Sequence, residues 1–159
     1  MLIQWIFPGN EIEPMFIRDD AEAALSELAE HCAEVADHYV SSAARIRDSR
    51  LAEMFEGLAQ NHVQLATELA DHLRGMGSLP RAPDPDRETA LEFLSAIKET
   101  LSGNTISSVL DDQIQREKRL AEEAEAALDN SLPEPARASV MKVAQAARSA
   151  QHSLAAVHA

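Results

Sequence analysis

Along four long stretches of the chain, core-type residues recur at alternating intervals of three and four, and this repeat limits the fold more than any other feature of the sequence. In the first stretch the positions are Leu25, Leu28, Cys32, Val35, Tyr39, Ser42 and Ile46. In the second they are Leu51, Phe55, Leu58, His62, Leu65, Leu69, His72 and Met76. The third carries Ile106, Leu110, Gln113, Glu117, Leu120, Ala124 and Leu128, and the fourth Ala136, Val140, Val143, Ala147, Ala150, Leu154 and Val157. Such spacing gathers each set on one side of an α-helix, which completes a turn about every 3.6 residues. A helix with one inward stripe is stable only against other helices. Composition agrees, since Ala, Leu, Glu and Arg supply much of the chain and all favour helix. The expected class is therefore all-α.

The breaks between stretches set the connectivity. Asp19 can cap the first helix, with Glu22 completing a capping box. Asp48-Ser49 separates the first and second helices, and Gly75 and Gly77 end the second. The segment Leu79-Pro-Arg-Ala-Pro-Asp-Pro-Asp86 is too rich in proline for helix. Pro85 suits the start of a shorter helix bearing Ala90, Leu94, Ile97 and Leu101, which Ser102-Gly103-Asn104 closes. A turn at 130–135 precedes the last helix, with Pro135 at its first position. Two tight hairpins and a long connection over 77–104 predict an antiparallel four-helix bundle with a short fifth helix in the crossover. Residues 19–159 form the bundle domain, and residues 1–18 an apolar N-terminal arm.

Charge and cysteine narrow the function. The formal net charge is −13, which repels nucleic acid and anionic membranes, so neither is an expected partner. Cys32 is the sole cysteine, so no internal disulfide forms, and its place on an apolar stripe marks a buried thiol. Met1 to Phe7 is apolar but short and lacks the basic start of a signal peptide, so a cytoplasmic chain is expected. This arm, with Trp5, is expected to pack on the bundle or on a second subunit. No nucleophile triad, phosphate-binding glycine loop or zinc-knuckle spacing occurs.

Several local motifs carry a family resemblance over roughly residues 20–157. They are Tyr39-Val-Ser-Ser-Ala-Ala44, Leu51-Ala-Glu-Met-Phe-Glu-Gly-Leu-Ala59, Glu68-Leu69 with Leu73-Arg-Gly-Met-Gly77, Pro83-Asp-Pro-Asp86, Glu117, Ala127-Leu128 and Leu132-Pro133. With them the chain resembles the ferritin-like superfamily, in particular a branch of small bacterial members of uncharacterised function. The metal-active members place a Glu on each of two helices and Glu-x-x-His on each of the other two. The resemblance puts His62 and Glu117 at ligand positions. Ala59 stands where the Glu before His62 would be, and Ser149 where the Glu before His152 would be. Glu34 is the nearest carboxylate on the first helix, but Glu34 and His152 fall off the inward stripes. A full di-iron set is therefore not expected.

Two readings of the inward polar residues follow. In the favoured one, Tyr39, His62, Gln113 and Glu117 form a buried hydrogen-bonded network that fixes register, and the protein is a structural or interaction module that assembles as a homo-oligomer. In the alternative, the protein is a metal-binding redox or storage protein in which His62 and Glu117, with His31 at the flank, hold iron or zinc in a mononuclear or degenerate di-metal site. A second polar face, Glu27, His31, Glu34 and His38, is expected to lie near Glu68 and His72, and to be chiefly a solvated surface. Met54, Met76 and Met141 are read as core or boundary residues.

Overall fold

The computed structural model describes residues 19–78 and 103–159, with side chains from residue 105 in the second span. They form four helices and no strand: α1 (Asp20–Ala43), α2 (Ser49–Gly75), α3 (Gly103–Ala127) and α4 (Glu134–His158). The expected crossover helix and the apolar arm lie outside the described residues. Among the described residues, no helix is long and apolar enough to cross a membrane.

Helix ends follow the local chemistry. Asp48 caps α2, its Oδ1 accepting from Arg50 N at 2.9 Å and Leu51 N at 3.0 Å. Asp19 caps α1 more weakly, at 3.5 Å from Ala21 N. Glu22 does not complete the expected box; its Oε2 instead accepts from Ser78 Oγ at 2.7 Å, fastening the start of α1 to the end of α2. Gly77, at φ +83°, closes α2. Its left-handed backbone lets Ser78 N reach Leu73 O (2.9 Å) and Gly77 N reach Arg74 O (3.0 Å), the paired bonds of a Schellman end.

Four expected details shift. α1 stops at Ala43, because Arg45 N and Ile46 N turn back to Ser42 O and Ala43 O in a tightened last turn, so Ile46 packs from the loop. Gly103 and Asn104, read as a break, are helical. Pro135 takes the second helical position, because Pro133 is the cap and Glu134 the first residue. Val157 and Met141 are exposed, at 48% and 57%.

The stripes otherwise meet as the repeat requires. Leu25, Phe55, Leu69, Val140, Val143, Ala147 and Leu154 are fully enclosed. α1 packs most extensively on α2, and α3 on α4, with α1 also against α3 and α2 against α4. Cross-contacts set the directions. Glu22 meets Ser78 while Tyr39 meets Phe55 and His62, so α1 and α2 run oppositely. His31 meets Glu123 while Tyr39 meets Glu117, so α1 and α3 also run oppositely. Arg148 meets Glu125 while His158 meets Asp111, which opposes α3 and α4. α2 and α3 therefore lie diagonally and run the same way. The end of α2 and the start of α3 then stand at opposite ends of a bundle about 40 Å long, at about 1.5 Å per helical residue.

Candidate functional site

Three helices each send one polar side chain to a common point in the core. Tyr39 comes from α1, His62 from α2 and Glu117 from α3, and all three are 0% exposed. Each occupies a stripe position where its neighbours are apolar, so the local helix leaves it no route to water. Tyr39 Oη donates to Glu117 Oε1 at 2.6 Å. His62 Nε2 lies 3.1 Å from Glu117 Oε2, and His62 Nδ1 lies 2.8 Å from Leu58 O one turn back. The Tyr39 ring stands edge-on to Phe55 at 5.2 Å and tilts over His62 at 5.7 Å.

Proton accounting assigns the charge. Leu58 O only accepts, so Nδ1 carries a proton. With Glu117 as the carboxylate, which only accepts, Nε2 carries the second proton and His62 is an imidazolium. Burial opposes that charge, but the hydrogen bond and field of Glu117, with the Leu58 carbonyl, outweigh it and hold the His62 pKa above its ordinary value. Burial, then the Glu117 charge and hydrogen bond, push the Tyr39 hydroxyl far above its usual range, so it remains a donor. Burial, with the charges of Glu117 and Glu123, pushes the Cys32 thiol up to about 12, which makes it unreactive.

The expected fourth member of the network stands apart. Gln113 is 1% exposed, one turn before Glu117, yet its Oε1 has no hydrogen-bond partner. Amide and carboxylate oxygens are both acceptors, and Glu117 already has Tyr39 and His62 as donors. His31 is also not drawn to the cluster. Its Nδ1 meets Glu123 of α3 at a half-exposed cleft that Glu27, Leu28 and Asn130 also line.

The second polar face is divided differently from the sequence reading. Glu68 and His72 turn away from Glu27 and His31 toward α4. Ser139 Oγ donates to Glu68 Oε1 at 2.6 Å and lies 2.8 Å from His72 Nε2, while Lys142 Nζ meets Glu68 at 2.8 Å. The physical reason is helical phase: these two residues occupy the flank of α2 that faces α4. The Lys142 and Ser139 hydrogen bonds hold the Glu68 carboxyl below its usual range. Ser139, which is 1% exposed, lies three residues after Ala136 and four before Val143, so the repeat itself could have signalled it; the stripe read through Val140 passes it by. Its proton goes to Glu68, so His72 Nε2 must donate to its oxygen. The pair is consequently no nucleophile and general base. His38 faces Arg116 and Asp112 of α3, and its pKa is lowered by burial and by Arg116.

A pair of irons requires several carboxylate and imidazole ligands on all four helices. Glu34 and His152 are exposed, and Ala59 is a buried methyl group on the α2 stripe. Among the described residues one imidazole, one carboxylate and one phenol converge, fewer hard oxygen donors than a di-iron centre uses. Among the described residues no three His, Cys, Asp or Glu side chains gather in a way that could hold a metal ion.

A family of domains of unknown function, DUF2383, matches residues 20–130, and the chain belongs to that family. The match takes in α1, α2 and α3 and ends before α4. No curated protein and no solved structure matches the chain.

Proposed function

We propose that this protein is a ferritin-like helical bundle serving as a structural, self-associating module, with its interior polar residues committed to holding the helices in register. The observation that carries this is the closed Tyr39–Glu117–His62 cluster. Both carboxylate oxygens and both ring nitrogens already have protein partners. The diagonal, co-directional α2 and α3 support the ferritin-like connectivity, because it needs one long crossover between two hairpins. A buried charged cluster fixes one axial alignment among Ala- and Leu-rich helices that otherwise slide at little cost. The test is elemental analysis of protein produced with iron and zinc supplied, joined to its mass in solution. Substoichiometric metal and a mass above one chain are expected; stoichiometric metal, or a single-chain mass throughout a dilution series, overturns the reading.

A second reading has one observation in its favour. His62 Nε2 and Glu117 Oε2 are 3.1 Å apart, a separation that two ligands of one ion also show, and Gln113 Oε1 is a further buried oxygen. Iron or zinc bound there would be lost in both His62→Ala and Glu117→Ala, and that paired loss is its signature.

A further inference from the structure

We infer that the cleft between α1 and α3 is the docking site of the chain's own N-terminal arm, with Met15, Phe16 and Ile17 laid over its apolar floor. This docking needs one chain only and is independent of self-association.

The cleft lies at the end of the bundle where α1 starts and α3 finishes, and encloses about 220 Å³. Ala24 and Leu28 of α1 and Ala127 of α3 form its floor, with Ala126 exposed at the edge. Among the described residues, the other three seams at this end are bridged by side chains. Glu22 and Ser78 bridge α1 and α2 at 2.7 Å. Glu68 holds Ser139 at 2.6 Å and Lys142 at 2.8 Å across α2 and α4. Arg137 of α4 donates to Leu128 O at 3.2 Å and Asn130 O at 3.3 Å where α3 ends. The α1–α3 seam is bridged at His31 and Glu123, and from that pair toward Asp19 it opens into the cleft.

Reach and charge select the occupant. Leu28 lies nine residues beyond the Asp19 cap, about 14 Å along α1 at about 1.5 Å per residue. Extended chain covers about 3.3–3.6 Å per residue, so Met15 to Arg18, doubling back from the cap, span about 13–14 Å. That sets Met15, Phe16 and Ile17 beside Ala24 and Leu28, where apolar surface on both sides leaves water. Arg18 follows them and is the one Lys or Arg among residues 1–18. Its charge suits a rim that carries the carboxylates of Glu27 and Glu123. The arm's own acids, Glu11 and Glu13, fall beyond Pro14 and past that stretch.

Two experiments on the full chain test the inference. Met15→Cys combined with Ala126→Cys should oxidise to a disulfide within one chain. Met15→Cys combined with Asp71→Cys, at an exposed site on α2 near the same end, should not. Buried Cys32 stays silent in that assay. A disulfide joining two chains at position 126 would assign the cleft to a second copy's arm. Equal yields at 126 and 71 would mean that the arm has no preferred seat. Either result overturns the inference. Separately, Ala126→Glu adds a carboxylate at the cleft's edge without changing a buried residue, so helix content should stay at the wild-type level. Chymotryptic cleavage after Phe16 tracks how often the arm is undocked, and the variant should be cut about tenfold faster than the wild type. Equal rates would overturn docking at this seam.

Discussion

Two clusters in this bundle use nearly the same side-chain chemistry, an imidazole, a carboxylate and a hydroxyl, in opposite surroundings. Tyr39, Glu117 and His62 meet at 0% exposure where three helices converge. Glu68, His72 and Ser139 meet at the α2–α4 flank, where only Ser139 is enclosed and Lys142 reaches in from solvent. In the first cluster no water can replace a lost partner. In the second, water and Lys142 can. Burial, more than residue type, should therefore decide how much each polar group contributes to the fold.

The largest effect should come from separating the inner ion pair. Glu117→Leu leaves His62 buried without its carboxylate and is expected to cost about 3–5 kcal/mol in urea unfolding. Replacing both partners, His62→Leu with Glu117→Leu, should recover much of that loss, because two apolar groups leave no orphaned charge. A double variant no more stable than Glu117→Leu alone would show that the cluster contributes by packing rather than by charge.

pH gives the next contrast. The folded His62 holds its second proton more tightly than the unfolded chain, whose imidazole titrates near 6.5. The stability gained is complete below that value and is lost as pH rises through the raised folded pKa. The thermal midpoint should therefore fall on the alkaline side of 6.5, with the double Leu variant showing a flatter profile there. Stability that rose over this range would contradict the imidazolium assignment.

At the flank, Ser139→Ala should cost about 1 kcal/mol, since Glu68 keeps Lys142 and His72 has access to water. The smallest change is expected at the half-exposed His31–Glu123 pair, where His31→Ala should cost about 0–1 kcal/mol. A loss there as large as that of Glu117→Leu would erase the proposed distinction between inner and outer pairs.

The sequence alone disclosed His62, Glu117 and Tyr39 because each stands at a stripe position, and periodicity along one helix is enough to read that. It also disclosed that Glu34 and His152 point outward. It did not disclose which helix each flank faces. Spacing along α2 alone therefore puts Glu68 and His72 on the side of Glu27 and His31, whereas they meet Ser139. The repeat places Gln113 in the interior, where it is buried, but does not show that its Oε1 lacks a partner, because pattern gives direction and not donor count. The early stop of α1 at Ala43 was hidden because Ile46 continues the spacing from the loop and still packs half-buried. The exposed Met141 and Val157 show the converse, that an apolar residue need not be inward.

The directions of the helices also settle how the molecule carries mechanical load. α1 and α4 lie diagonally and point the same way, so Asp19 and Ala159 sit at opposite ends of the long axis. Tension applied between those two points runs along the helices and must slide many side-chain contacts past one another at once, instead of peeling one helix away turn by turn. Grips placed at Glu22 and Ser78, which adjoin at one end, would unzip the first hairpin at far lower force.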